Sequence, residues 1–339
     1  MERKVELMQF PGTLNLAMLP TPLERIRRLS GVSDDFKIFI KRDDLTGFGL
    51  SGNKIRKLEY LAYEALKRKC DTLITCGGIQ SNHARATAIA AAQLGLKSYL
   101  VLFEEDKPKD DGNLFLSRLV GAEVKYISAE EYQWADDIME EVRSKLKSKG
   151  RIGYVIPEGG SNALGIWGYI KAAHEIKSQL DSMKVRVDRV ITAVSSGGTY
   201  AGLYIGSKLL KWKLKVTGFN IRETSAIATE RIWKLVQDHL EGFKSDISVG
   251  KQEIEVIDGY VGKGYGLSRK VELDLLKSAA KETGIILDPV YSGKAMLGLV
   301  DQIKRGDFTK TENILFLHTG GGFGLFPIRQ KFFRQVPKR

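Results

Sequence analysis

Lys54 is the residue whose setting most strongly suggests chemistry. It follows the turn GFGLSGN at 47–53 and opens a segment, 54–67, whose apolar residues recur at three- and four-residue spacing, which predicts a helix. The positive end of a helix dipole lies at its start, so a lysine there is poorly suited to a simple surface role. A tight turn that removes the amine from water lowers its pKa, and Schiff-base chemistry needs a neutral amine. Lys54 is therefore a candidate nucleophile.

The second candidate is the segment SSGGT, which lies between an apolar strand pattern at 190–194 and a helical pattern at 201–211. Two glycines let backbone N–H groups turn toward a ligand, the flanking hydroxyls add donors, and the following helix contributes its positive end. This combination suits a phosphate monoester, although a plain strand-to-helix turn has the same composition. The residues concerned are Ser195, Ser196, Gly197, Gly198 and Thr199.

The sequence does not match the motifs of nucleotide-binding, metal or disulfide-stabilised proteins. DPVYSGKAM around Gly293 lacks the first glycine and the final hydroxyl of a Walker loop, and the glycine clusters at 262–266 and 320–324 do not fit a dinucleotide fingerprint. The four histidines are not spaced as metal ligands, so we expect no metal. Only two cysteines occur, Cys70 and Cys76, which is neither a disulfide framework nor a zinc pattern.

The net charge of +12 could suggest a nucleic-acid partner. The basic residues are interspersed with acidic ones, however, as in EEVRSKLKSKGR at 140–151, and no zinc-finger, basic-helix or RNP-type motif is present. We expect a lysine-rich solvated surface that binds no nucleic acid. No apolar run approaches the roughly 20 residues needed to cross a bilayer, and MERKVELMQFPG has no apolar signal core, so we expect a cytoplasmic protein without membrane contact.

The rest of the chain alternates short apolar runs with amphipathic stretches. This pattern predicts βαβ units and therefore an α/β fold with mainly parallel sheets. An alanine-rich helix is predicted at 82–95. The predicted strands lie at 36–42, 72–77, 98–103, 123–128, 152–157, 188–196, 214–221, 254–260 and 313–322.

Five motifs in order resemble the 1-aminocyclopropane-1-carboxylate deaminase / D-cysteine desulfhydrase family, a branch of the pyridoxal-phosphate enzymes of the tryptophan-synthase-β fold type. The resemblance runs from about Met18 to about Phe326, and one departure is Ser51, where the family usually has glycine. The motifs are IKRDDLTGFGLSGNKIRKLEYL (40–61), TCGGIQSNHARATA (75–88), SSGGTYAG (195–202), LDPVYSGKA (287–295) and HTGGG (318–322).

The resemblance implies two open, mainly parallel α/β domains with pyridoxal 5'-phosphate in the cleft between them. The small domain is expected to span 55–160, and the large domain 1–54 plus 161–339. A small amino acid is the expected substrate and a homodimer the expected assembly.

The resemblance also assigns roles to individual residues. Lys54 carries the cofactor, Asn53 bonds its ring oxygen and the 195–199 loop holds its phosphate. Ser81 faces the substrate, and Tyr265 and Tyr291 match two active-site tyrosines, which could act as acid or base if cationic neighbours lowered their pKa. Two further residues, Asn82 and His83, open a helix that can receive the substrate carboxylate.

Two positions bear on the reaction. By the resemblance, true deaminases have glutamate where this chain has Ser292 and leucine where it has Thr319. A carboxylate keeps the pyridine nitrogen protonated and the ring a strong electron sink, whereas a hydroxyl does not. This favours D-cysteine desulfhydrase, which expels a good leaving group and yields pyruvate, sulfide and ammonia. The deaminase remains an alternative, as does elimination from L-cysteate or other β-substituted amino acids such as D-serine derivatives.

Overall fold

The computed structural model describes residues 10–33, 35–104, 109–310 and 312–333. The strands are β1 (Leu23–Ile26), β2 (Lys37–Arg42), β3 (Thr72–Gly78), β4 (Lys97–Phe103), β5 (Glu123–Ile127), β6 (Gly153–Val155), β7 (Arg189–Val194), β8 (Lys215–Asn220), β9 (Glu255–Ile257) and β10 (Asn313–His318). The helices are α1 (Lys54–Lys67), α2 (Asn82–Gln93), α3 (Gly112–Leu119), α4 (Ala135–Lys147), α5 (Trp167–Ser182), α6 (Gly198–Leu209), α7 (Ser225–Phe243), α8 (Lys270–Thr283) and α9 (Ser292–Arg305).

The strands form two sheets, which confirms the predicted mainly parallel α/β fold. One has the order β1-β2-β10-β7-β8-β9 and the other β5-β4-β3-β6. Only the β1–β2 pair is antiparallel among the pairings in the described residues. None of the helices in these residues is long and apolar enough to cross a bilayer.

Several predicted strands are too long at their ends. The strand predicted at 313–322 ends at His318, because the glycines that follow turn the chain, with φ of +80° at Gly320 and +100° at Gly321. The strands predicted at 152–157 and 254–260 shrink to the three-residue β6 and β9. In each case the extra predicted residues form the loop at the strand end.

The two sheets divide the chain in the way expected for two domains. The four-stranded sheet uses strands within 72–155, and the six-stranded sheet uses strands outside that range. This supports, as a proposal, a small domain at 55–160 and a large one formed by 1–54 plus 161–339. The first boundary falls inside the first turn of α1, which packs on α2 of one unit and on α5 of the other.

A buried ionic cluster fixes α1 against the large sheet. Arg56, which is 1% exposed, donates from Nη2 and Nε to Asp43 at 2.8 Å, and from Nη1 and Nη2 to Glu175 at 2.9 Å. Tyr169 donates to Asp43 and Lys41 to Glu175, both at 2.5 Å. Removing one partner of such a cluster leaves a buried charge unpaired, which is strongly destabilising. The cluster therefore holds the helix that begins at Lys54 in one position.

Candidate active site

Gly52 places Lys54 beside the end of β10. Its φ is +116°, which favours glycine, and a Cβ there would lie 2.7 Å from the Thr319 carbonyl oxygen. The next residue, Asn53, donates its backbone N–H to that same oxygen at 3.1 Å. The turn predicted from the sequence thus brings the start of α1 against the loop after β10.

The Lys54 amine faces a polar cavity of about 410 Å³. Removal from water lowers its pKa from 10.5 to about 8, although the Glu158 carboxylate acts in the opposite direction. The expected lowering of this pKa is therefore confirmed, and a sizeable fraction of the amine is neutral near pH 7 to 8. The cavity is lined by Asn53, Lys54, Asn82, Ala193, Ser195, Ser196, Gly197, Thr199, Tyr200, Tyr291 and Thr319.

The 195–199 loop forms one wall of this cavity, at the start of α6. Gly197 has a φ of +82° and precedes the first helical residue, Gly198. Thr199 accepts a hydrogen bond from the Asn53 side-chain amide at 2.9 Å, so this loop and the lysine turn are tied together. A left-handed glycine followed by the N-terminus of a 12-residue helix is the backbone arrangement that binds phosphate.

Lys57 is also buried, three residues after Lys54, and it was not identified as a candidate from the sequence. Its Nζ donates to the Gly159 carbonyl at 3.1 Å and to Ser161 Oγ at 3.0 Å. A Cβ on Gly198 would lie 2.8 Å from Lys57 Nζ and 2.5 Å from Ser161 Oγ, so only glycine leaves room for this contact. Burial and the neighbouring Lys54 charge lower the Lys57 pKa well below its usual value. Its spacing of three from Lys54, which puts both on one helical face, was the available signal.

The three residues of the SNH motif have different surroundings. Ser81 caps α2, accepting from the Ala84 N–H at 3.1 Å, and lines a second cavity of about 410 Å³. Asn82 lines the Lys54 cavity. His83 lines neither cavity: its side chain is buried, with Nε2 2.9 Å from the hydroxyl of Thr75 in β3. The His83 side chain therefore faces β3 in this structure, and its expected part in receiving the substrate carboxylate stays a prediction.

The two tyrosines face each other, with Tyr291 Oη 3.4 Å from Tyr265 Oη. The condition under which they could act as acid or base, a pKa lowered by cationic neighbours, is not met. Burial raises the pKa of Tyr265 to about 12, and Arg222 opposes this only weakly. Burial and the neighbouring Tyr265 also hold the pKa of Tyr291 well above its usual value. Both phenols consequently keep their protons near neutral pH, so they can donate hydrogen bonds but are weaker acids than an exposed tyrosine.

Ser292 and Thr319 have different surroundings in the structure. Thr319 lines the Lys54 cavity, whereas the Ser292 hydroxyl donates to Asp288 Oδ1 at 2.6 Å and is 1% exposed. Asp288 also accepts from the backbone N–H groups of residues 290, 291 and 292. The Ser292 hydroxyl is thus used to hold the loop that carries Tyr291. His318, beside Thr319, is a buried core residue, with Nε2 3.0 Å from the Ile286 carbonyl oxygen.

Glu158 and Arg222 also lie at the candidate site, and neither was identified from the sequence. They line the second cavity together with Ser81 and the two tyrosines, and they form an ion pair of 2.7 Å. Both come shortly after strands, β6 and β8, at the carboxyl ends where ligands bind in open α/β sheets. That position in the chain was the available signal.

Comparison with known proteins agrees with this geometry. The family description "pyridoxal-phosphate dependent enzyme" matches residues 14–320. The chain belongs to this family. The bifunctional D-cysteine desulfhydrase/1-aminocyclopropane-1-carboxylate deaminase of Arabidopsis thaliana is 44% identical over 93% of this chain and 79% of the relative. A putative 1-aminocyclopropane-1-carboxylate deaminase of Thermotoga maritima is 43% identical over 92% and 97%.

A relative with a different activity is nearly as similar. The D-cysteine desulfhydrase of Klebsiella pneumoniae is 39% identical over 94% of this chain and 97% of the relative. The solved structure of an ACC deaminase homologue superposes with a TM-score of 0.85, at 37% identity, covering 96% of each chain. The protein is therefore a pyridoxal-phosphate-dependent lyase, and relatives of both activities resemble it.

The residues of the Lys54 cavity fit that cofactor. The low pKa of Lys54 would supply a neutral amine for the covalent link. The left-handed Gly197, the N-terminus of α6 and the hydroxyls of the 195–199 loop would supply a phosphate site. A side chain at Gly198 would intrude on this loop.

Proposed function

We propose that the protein is a D-cysteine desulfhydrase, which converts D-cysteine and water to pyruvate, ammonia and hydrogen sulfide. The observation that carries this proposal is the lining of the Lys54 cavity, which includes no carboxylate among the described residues. By the family resemblance, the positions of Ser292 and Thr319 influence the pyridine nitrogen. Without an acidic partner the nitrogen is less readily protonated, so the ring withdraws electrons less strongly. Loss of a thiol needs less electron withdrawal than opening a cyclopropane.

We further propose roles for the residues around the cavity. The bound cofactor supplies an electron sink conjugated with the substrate α-carbon. Lys54 would hold the cofactor covalently, and its Nζ, when free, would accept the α-proton of the substrate, since its pKa of about 8 suits a base near neutral pH. The 195–199 loop holds the phosphate, Asn53 and Thr319 line the ring site, and Ser81 and Asn82 bind the substrate.

Tyr265 and Tyr291 are proposed as hydrogen-bond donors to the departing sulfur. Both pKa values are raised, so each phenol keeps its proton at neutral pH and can donate it in a hydrogen bond. The two hydroxyls lie 3.4 Å apart, so both can face one leaving group. Such hydrogen bonds stabilise the negative charge that develops on sulfur as the C–S bond breaks.

The test is a parallel assay of the purified holoenzyme with D-cysteine, L-cysteine, L-cysteate and 1-aminocyclopropane-1-carboxylate, measuring pyruvate, 2-oxobutanoate, sulfide and sulfite. D-Cysteine should give pyruvate and sulfide in equal amounts, with little 2-oxobutanoate from the cyclopropane. Efficient 2-oxobutanoate release, with little sulfide from D-cysteine, would instead make the enzyme a deaminase.

The deaminase is the second candidate because several relatives carry that name, one of them together with the desulfhydrase activity. A lyase for L-cysteate or another β-substituted amino acid is the third. The parallel assay separates all three by product, since cysteate would release sulfite.

We also propose a cytoplasmic homodimer. The family resemblance supports the dimer, and large apolar side chains are exposed near the glycine turn, including Phe48 (83% exposed) and Met18 (71%). The two free, buried cysteines are compatible with a reducing compartment. Light scattering coupled to gel filtration should give twice the mass of the chain.

A further inference from the structure

Glu158 and Arg222 join the loops of the two sheets across the cleft. Glu158 follows β6 of the four-stranded sheet, and Arg222 follows β8 of the six-stranded sheet. Arg222 Nη1 lies 2.7 Å from Glu158 Oε2, and the two side chains are 35% and 38% exposed. Nearby, Arg231 donates to Glu223, so these two side chains are paired with each other. Glu158 and Arg222 thus form an ion pair of their own, although the Glu158 carboxylate also acts on Lys54.

This pair borders the second cavity, which adjoins the Lys54 cavity. It lines the second cavity together with Ser81, Tyr265 and Tyr291, and Ser195 and Tyr291 line both this cavity and the Lys54 cavity. Glu158 and Arg222 are the charged side chains in the lining of the second cavity, within the described residues. Whatever group extends from the β-carbon of a bound amino acid toward this wall meets one negative and one positive side chain.

Resting on the proposed elimination reaction, we infer that the Glu158–Arg222 pair determines whether the enzyme prefers substrates with a neutral or an anionic β-substituent. A neutral substituent such as a thiol leaves the pair intact. An anionic substituent such as a sulfonate must compete with Glu158 for Arg222 and is repelled by the Glu158 carboxylate. The pocket therefore prefers uncharged β-substituents, and Glu158 is the specificity-determining residue, with Arg222 as a latent anion site.

The two substrates that test this share one reaction. In both, the α-C–H and β-C–S bonds break, the α-proton goes to a base, and the sulfur group leaves with the C–S electron pair. Hydrolysis of the three-carbon product with one water gives pyruvate and ammonia. D-Cysteine releases hydrogen sulfide and D-cysteate releases sulfite, so they differ in the charge of the β-substituent but not in configuration.

The experiment compares kcat/KM for D-cysteate and D-cysteine in the wild-type holoenzyme and in Glu158→Gln. The variant frees Arg222 and removes the repelling carboxylate, so the D-cysteate to D-cysteine ratio should rise by about fivefold, the factor that a partly exposed ion pair can supply. Glu158→Asp keeps the charge and should retain the wild-type preference. Adding Arg222→Gln to Glu158→Gln should abolish the gain.

A matched control separates a local effect from a change in net charge. Asp238→Asn makes the same charge change in an exposed pair with Lys234, outside the lining of either cavity, and should leave the ratio unchanged. An unchanged ratio in Glu158→Gln, or an equal rise in Asp238→Asn, would overturn the inference while leaving the D-cysteine activity established.

If D-cysteine is not turned over, the proposed function is wrong. The inference about the Glu158–Arg222 pair is then tested by a binding measurement. The dissociation constants of 3-sulfopropanoate and 3-mercaptopropanoate are read from the change in cofactor absorbance. Glu158→Gln should tighten binding of the sulfonate relative to the thiol by a similar factor. Equal effects on both compounds would show that the pair does not discriminate charge.

Discussion

The rate constant for covalent binding of pyridoxal phosphate to the cofactor-free protein should depend on pH, with a midpoint near pH 8. Only the neutral amine of Lys54 attacks the cofactor aldehyde, and burial lowers the pKa of Lys54 from 10.5 to about 8. At pH 7 this raises the neutral fraction by a factor of about 300 over an exposed lysine, since each pH unit between the two values contributes tenfold. The rate constant should therefore rise about fivefold from pH 7 to pH 8 and level off above pH 9.

The assay is stopped-flow absorbance after mixing the cofactor-free protein with pyridoxal phosphate between pH 7 and pH 10, where the cofactor phosphate stays dianionic. Glu158→Gln should move the midpoint to lower pH, because the Glu158 carboxylate raises the pKa of Lys54. Asp238→Asn, a distant carboxylate change, should not move it. A midpoint at pH 10 or above would refute the argument that burial activates Lys54.

Three further outcomes follow from the geometry of the site. Lys54→Ala should lose covalent cofactor and nearly all turnover, and mass spectrometry after borohydride reduction of the wild type should place the cofactor on Lys54 and on no other lysine. Gly198→Ala should weaken cofactor binding about tenfold, because the new Cβ would lie 2.5 Å from Ser161 Oγ. The melting temperature of the cofactor-free protein should change little. Unchanged affinity for the cofactor would mean that the phosphate binds elsewhere. Ser292→Glu should lower the free energy of unfolding by about 3 kcal/mol or more, measured by urea denaturation, because it sets a second carboxylate beside the buried Asp288. Stability equal to wild type would show that Ser292 can be exchanged for the carboxylate found in deaminases.

Chemical character and local structure were predictable from the sequence. Hydrophobic runs bounded by glycine identified the strands, and the spacing within 54–67 predicted α1. The glycine turn before Lys54 and the SSGGT segment were identifiable because each needs backbone conformations that few residues adopt. A left-handed residue and a helix start are local events, so a short stretch of sequence is enough to specify them.

Strand ends and side-chain directions were less predictable. The glycines after β10 are apolar in composition but end the strand through their backbone angles. His83 lies in a motif matched to the substrate site, yet α2 directs its ring to Thr75. A sequence pattern gives the helix but not its rotation against the neighbouring strand, which is set by packing.

The electrostatics of the site depend on residues distant in the chain. Glu158 meets Arg222, 64 positions later, because parallel strands from two sheets end at one cleft. The direction of the tyrosine pKa shifts likewise follows from burial by surrounding elements, which outweighs the opposing effect of Arg222. The sequence by itself determined the α/β fold type and the turns that carry Lys54 and the 195–199 loop, since these are encoded locally. Only the tertiary structure decided the charge, protonation and walls of the two cavities around Lys54 and Ser81, because each is a sum over groups that folding brings together.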